Sequence, residues 1–222
     1  QSSGIQENHF MQIGRNKFMH MRLSKDSSSD QSSIPQPDRH SVLLLVDPQN
    51  DFFPGGAMGT PKGNNLIPVI NAYIKHFSRQ GWSILATRDW HPANHCSFSE
   101  QGGPCPTHCV QGSRGAQFHS ELVMPPGMMV ISKGTDPKKD ARSGFEGSSL
   151  GDRLEDLNVK TVFALGPATQ DCLKQTVLDA CKIGLQVVVL SDAIGNIGNS
   201  ADSLLEINKT GALQATASDL GI

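Results

Sequence analysis

What this 222-residue chain lacks narrows its character first. No apolar run approaches the roughly 20 residues that a membrane-spanning helix needs, so no such span is expected. Charge of one sign is also missing: 19 Lys and Arg stand against 21 Asp and Glu, a formal net charge of −2. That balance gives no electrostatic reason to expect nucleic acid or an anionic membrane as partner. The five cysteines, Cys96, Cys105, Cys109, Cys172 and Cys181, are an odd number without a Cys-x-x-Cys pair. They suit a reducing, cytoplasmic compartment better than a disulfide scaffold, and they argue against a structural zinc cage. No Gly-x-Gly-x-x-Gly opens the first strand-to-helix crossover, which argues against a dinucleotide-binding oxidoreductase.

Apolar residues are also scarce at the start. "SKDSSSDQSSIPQPD" is polar and Ser-rich, and it cannot bury enough surface to offset the entropy of ordering. Residues 1–40 are therefore expected to be a disordered polar tail and residues 41–222 a single domain. The mildly basic "GRNKFMHMRLSK" has no apolar core beside it, and acids are interspersed, which argues against a targeting leader.

From Ser41 onward the pattern becomes regular. "SVLLLV" is a continuous apolar run, as expected of a strand buried on both faces. In "NNLIPVINAYIKHFSRQG", Leu66, Val69, Ile70, Tyr73, Ile74 and Phe77 recur at helical spacing up to Gly81. "WSILAT", "GMMVIS", "TVFALG" and "LQVVVLSDA" read as further strands. "SSLGDRLEDLN", "QDCLKQTVLDACKIG" and "SADSLLEINKTGAL" read as helices. This alternation predicts an α/β fold with right-handed crossovers, and a parallel sheet covered on both faces. Ligands in such sheets sit beyond the carboxyl ends of the strands.

Four strand ends carry chemistry. Asp47 follows the first strand, Asp89 and His91 the second, Lys133 the third, and Cys172 lies just past "VFALG". Residues two apart in extended backbone point the same way, so Asp89 and His91 can share one ion. An Asp-x-His pair is more often an ion pair or a cap. The Gly- and Pro-rich loop "SEQGGPCPTHC" strengthens the metal reading, because it can bring in His108. Two imidazoles and a carboxylate leave coordination positions open, which suits Zn, with Fe or Mn as alternatives. His95 competes as a third imidazole, either as a ligand or as a group that orients one. Cys172 opens a helix, where backbone N–H groups and the helix dipole lower a thiol pKa. Lys133 would stabilise the thiolate and Asp47 could carry its proton. The ordinary alternative is an inert, buried cysteine.

The blocks "LLLVDPQNDFFPGGA", "ATRDWHPANHCSF", "GPCPTHCVQGSRGAQFH", "KGTDPKKDARSGFEG" and "GPATQDCLKQTVLDACKIGLQVVVLSDA" together resemble the nicotinamidases (pyrazinamidase type) of the isochorismatase-like cysteine hydrolases. The resemblance covers most of residues 41–193. It implies a three-layer α/β/α fold with a six-stranded parallel, Rossmann-like sheet, and conversion of nicotinamide to nicotinate and ammonia in NAD salvage. Carried over by motif, Asp47, Lys133 and Cys172 form the catalytic triad. The backbone N–H groups of Ala168 and Cys172 form the oxyanion hole, and Phe52 packs on the substrate ring. Asp89, His91 and His108 hold one divalent ion, and His95 matches a position that ligates in some members only. Cys105 stands where an aromatic often flanks the substrate, Arg142 where Tyr is common, and Pro167 and Gln170 depart from the usual turn before the helix.

Three rival readings follow from the same residues. One is a related cysteine amidohydrolase for another small amide or carbamoyl compound, which would lack a stoichiometric ion. Another is hydrolysis by metal-bound water with Cys172 incidental, and the third is a lapsed scaffold. The partner expected is a small molecule, and assembly into a homo-oligomer is compatible with the sequence without being fixed by it.

Overall fold

The structure, a computed structural model, describes residues 34–195 and 200–222. Of the tail expected at residues 1–40, residues 1–33 lie outside them, as do residues 196–199. Residues 34–40 are described: Ile34 packs against the apolar layer under the first helix, and Gln36 Nε2 donates to the Asp219 carbonyl at 3.1 Å.

Six parallel strands form one sheet: β1 (Ser41–Leu45), β2 (Ser83–Asp89), β3 (Met129–Lys133), β4 (Thr161–Gly166), β5 (Gln186–Ile194) and β6 (Leu213–Ala215), in the order β3-β2-β1-β4-β5-β6. The chain runs outward from β1 to β3, then returns to place β4 on the other side of β1. That reversal opens a crevice beyond the carboxyl ends of β1 and β4, the usual ligand position in doubly wound sheets.

Alternation along β1 divides the core. Leu43 and Leu45 face a layer built with α1 (Ile67–Gln80), through Ile70, Tyr73, Ile74 and Phe77. Val42 and Leu44 face the opposite layer, built with α2 (Leu150–Asp156), α3 (Lys174–Lys182) and α4 (Ser200–Lys209), through Leu150, Leu154, Val177 and Ile207. Both faces of β1 are thus dry, which is why its sequence is apolar throughout. Helix α1 ends at Gly81, whose φ of 70° allows its N–H to cap the carbonyls of Phe77 and Ser78. Among the described residues no helix is long and apolar enough to cross a membrane.

Candidate active site

Strand register brings the charged groups together. The β2–β3 ladder pairs Asp89 with Lys133, so their side chains leave the sheet on the same face. Lys133, fully buried, hydrogen-bonds the Asp89 carboxylate. The same ammonium lies 3.1 Å from Asp47 Oδ2, 3.4 Å from Cys172 Sγ and 3.1 Å from the Ala141 carbonyl it donates to. One cation thus serves two carboxylates and a thiol.

Asp47 follows β1 with φ of 49°, a left-handed conformation that a non-glycine residue adopts at a cost. Its place is held from β2. Thr87 Oγ1 donates to Asp47 Oδ1 at 2.7 Å and accepts the Asp47 N–H at 3.2 Å. Asp47 Oδ2 receives no aligned hydrogen bond despite lying 3.1 Å from Lys133 Nζ, and the Cys172 thiol beside the carboxyl favours its charged form. Burial pushes the Asp47 carboxyl up, and Lys133 opposes that only in part. Burial also draws Lys133 toward neutrality, but the two carboxylates and the thiol outweigh it and hold the ammonium charged.

Cys172 sits in a π-helical turn, Thr169–Leu173, directly before α3, and Leu173 N–H reaches back to the Ala168 carbonyl at 3.2 Å. Such wide turns recur at functional sites. The direction of the thiol's shift corrects the sequence expectation. Burial, reinforced by Asp47 and Asp89, raises the Cys172 pKa well above the usual thiol value despite Lys133. The helix start does not win here, because Cys172 is only 7% exposed and lies near two acids. The raised value favours the neutral thiol, which lies beside the Asp47 carboxyl.

Asp89, His91 and His108 are all buried, with one ligand atom from each within 4.8 Å of the others. His91 Nε2 is 3.7 Å from Asp89 Oδ1, and His108 Nε2 is 3.9 Å from Asp89 Oδ2. His91 Nδ1 meets the Gly134 carbonyl at 2.9 Å, and His108 Nδ1 meets the Pro106 carbonyl at 2.8 Å. A carbonyl can only accept, so Nδ1 carries a hydrogen in both rings, and in their neutral forms Nε2 is left to bind an ion; the Asp89 carboxylate beside it raises the His91 imidazole against the effect of burial. That tautomer choice fits the three residues to a divalent ion. His95 is not brought into the set. Its Nδ1 accepts from Ser97, at 2.7 Å from Oγ and 3.3 Å from N, and its Nε2 lies 3.2 Å from the Lys139 carbonyl. The ring stacks on that of His91 with centroids 4.1 Å apart and so packs behind it.

A cavity of about 330 Å³ opens over these groups. Phe52, Cys105, Ala168 and Cys172 line it together with His91 and His108, so the expected substrate contacts share one space with the thiol and the imidazoles. Its rim carries Asp140, Arg142 and Asp171; Arg142 pairs with both acids, at 3.6 and 3.9 Å. Asp47 and Lys133 do not line the cavity and stand behind the sulfur.

The sequence reading missed three supporting groups. Thr87 is one. Gln49 clamps the Asp89 backbone, donating to its carbonyl at 2.7 Å and accepting its N–H at 2.8 Å. Asp51 ties together the loops of Cys109 and Ala57. The acidic and amide residues of "VDPQND", two apart, were the available signal, but Thr87, Asp89 and Cys109, which they engage, lie 40 residues or more away.

An isochorismatase domain model matches residues 41–219. The chain belongs to the isochorismatase family. Within it, the Escherichia coli nicotinamidase is 37% identical over 203 residues, covering 80% of this chain and 95% of that one. Among solved structures, the pyrazinamidase of Pyrococcus horikoshii in complex with zinc is 44% identical, with a TM-score of 0.77, over 80% of this chain and 99% of that one. PnC1 from L. infantum in complex with nicotinate is 34% identical, also with a TM-score of 0.77, over 83% and 97%. The six-stranded parallel sheet between helices is the fold expected of an isochorismatase-family protein.

Proposed function

We propose that this isochorismatase-family chain is a nicotinamidase: a metal-dependent cysteine amidohydrolase that converts nicotinamide to nicotinate and ammonia through a thioester. One observation carries the reading. A thiol backed by a buried Asp–Lys pair and two imidazoles whose Nε2 atoms turn toward Asp89 face the same cavity of about 330 Å³. The nicotinamidase of E. coli and the nicotinate-bound L. infantum structure support the choice of amide, and the zinc complex of P. horikoshii supports zinc, with iron or manganese as alternatives.

In this mechanism the Cys172 sulfur attacks the amide carbon as Asp47 takes the thiol proton. Burial raises the Asp47 carboxyl, which makes it a stronger acceptor for the proton of the adjacent thiol. Lys133, still charged, stabilises the sulfur anion as it forms. The N–H groups of Ala168 and Cys172 receive the charge that develops on the carbonyl oxygen. Asp47 then returns the proton to the departing nitrogen, the C–N bond breaks, and ammonia leaves a thioester. A water deprotonated by Asp47 attacks that carbonyl, releasing nicotinate and the thiol. Phe52 and Cys105 bracket the ring. Held by Asp89, His91 and His108, a divalent ion would supply a Lewis-acidic contact for the ring nitrogen, a positioning contribution. The reaction belongs to pyridine-nucleotide salvage in a reducing, intracellular compartment, consistent with five unpaired cysteines.

The test is ammonia release from nicotinamide by the purified protein, before and after chelation, with Cys172→Ser alongside. Expected are loss of activity on chelation, its return with one divalent ion per chain, and a fall of at least about 1,000-fold for the serine variant. Near-normal turnover by Cys172→Ser with its ion retained would refute thiol chemistry. Full activity without any ion, on a carbamoyl compound instead, would favour the related amidohydrolase.

A further inference from the structure

Asp51 touches neither the thiol nor the imidazoles, yet two loops of the site converge on it. Its Oδ2 accepts the Cys109 N–H at 2.7 Å, and its Oδ1 accepts the Ala57 N–H at 3.2 Å. Its backbone adds two ties: N–H to the Gly115 carbonyl at 3.1 Å, and carbonyl from the Met58 N–H at 2.8 Å. Gly115 packs against the carboxylate so closely that a Cβ there would lie 2.0 Å from Oδ2.

Each tie leads to a working part of the site. Cys109, at φ of 46°, is the residue after His108. Its carbonyl accepts the His91 N–H at 3.0 Å, and the Gln111 N–H returns to the His91 carbonyl at 2.8 Å. Asp51 therefore anchors the segment from which His108 projects and beside which His91 runs. Ala57 and Met58 belong to the other loop, and both line the cavity next to Phe52.

We infer that Asp51 is a positioning residue that couples the ion site to the cavity wall, with one carboxylate oxygen setting the His108 turn and the other setting the loop of Met58. The inference rests on the reading of Asp89, His91 and His108 as ion ligands. In Asp51→Asn one acceptor oxygen remains, while the new amide presents N–H to an N–H, so one tie must open. Gly115→Ala leaves the carboxylate in place but pushes it aside, and Gly115 has no left-handed backbone requirement to confuse the result.

The experiment measures zinc affinity of the metal-stripped full chain by competition with a chromophoric chelator, thermal midpoint, and kcat and KM for nicotinamide at saturating zinc. Asp51→Asn should lose about 10- to 100-fold in zinc affinity, as residues that orient metal ligands commonly do. At saturating zinc its kcat should recover while KM stays raised. Gly115→Ala should move both readouts the same way by less. A folded Asp51→Asn with wild-type zinc affinity and KM overturns the inference, and so does a lowered midpoint with both readouts unmoved. Should Asp51→Asn fail to fold, wild-type values in Gly115→Ala overturn it instead. Failure of the wild type itself to take up zinc would overturn the ligand reading, and the inference with it.

Discussion

Replacing Lys133 by Met tests the charge arrangement at its centre. The Met side chain retains the apolar stem but deletes the ammonium that reaches Asp47 Oδ2 (3.1 Å), Cys172 Sγ (3.4 Å) and the Asp89 carboxylate. Both carboxylates lose their buried counter-charge, and the Ala141 carbonyl loses its donor. Removing one partner of a buried ion pair costs about 3–5 kcal/mol. A domain of this size holds about 5–15 kcal/mol in total and loses roughly 2–4 °C of midpoint per kcal/mol. The variant should therefore still fold in the cold, with its midpoint lowered by roughly 6–20 °C.

The deficit must also depend on pH with a definite sign. In the wild type, burial alone would raise the Asp89 carboxyl, but Lys133 and His91 outweigh it and hold it well below the usual range. A depressed carboxyl contributes stability above its unfolded pKa of about 4, and that stability is lost as pH falls. Without Lys133, Asp89 loses the strongest influence that lowers its carboxyl and Asp47 loses the charge that opposes its burial, so ionising both costs more than in the wild type. The penalty relative to wild type should thus be small near pH 4 and reach its full size toward pH 7. A saturating divalent ion should recover part of it by restoring positive charge beside Asp89. Urea melts at several pH values, with and without ion, read this directly. A penalty under about 1 kcal/mol at pH 7, or one that does not change with pH, would refute the reasoning.

Thr87→Val keeps the shape of the side chain and deletes the hydroxyl that donates to Asp47 Oδ1. A loss of about 1–2 kcal/mol, or roughly 5- to 30-fold in kcat/KM, is expected at neutral pH. Burial already raises Asp47 and Thr87 opposes it, so the acid limb of the pH–rate profile should move to higher pH; an unmoved limb would count against Asp47 as the base. Gly134→Ala should cost about 1 kcal/mol from its φ of 62° and also displace His91, because the new Cβ would sit 2.4 Å from His91 Cε1. Zinc affinity should fall about 10- to 100-fold. Gly127→Ala is the control: φ of 77° with no atom within 4 Å, so stability should fall and zinc affinity should not. Equal zinc affinities in the two variants would sink the assignment of His91.

Much of the sheet was legible because buried parallel strands must be apolar on both faces, as "SVLLL" and "TVFAL" are. Strand β6 was not: "LQA" is three residues long, half-buried for two of them, and carries no periodic signal of its own. The site residues were visible as polar types following apolar runs. Asp47, Asp89, Lys133 and Cys172 stand where a doubly wound sheet puts ligands, and the parallel topology then delivers them to one crevice. The π-helical turn under Cys172 left no mark that periodicity could detect.

The sequence by itself determined the layer order, the edge of the sheet where chemistry gathers, and the residue types available there, because those follow from hydrophobic period and chain direction. Only the tertiary structure decided how these groups meet. Register set Lys133 against Asp89, two carbonyls chose the tautomers of His91 and His108, and Ser97 and Lys139 engaged the nitrogens of His95. Burial then reversed the shift expected of the Cys172 thiol. Hydrogen-bond partners and desolvation arise between segments distant in the chain, so no local pattern of residues encodes them.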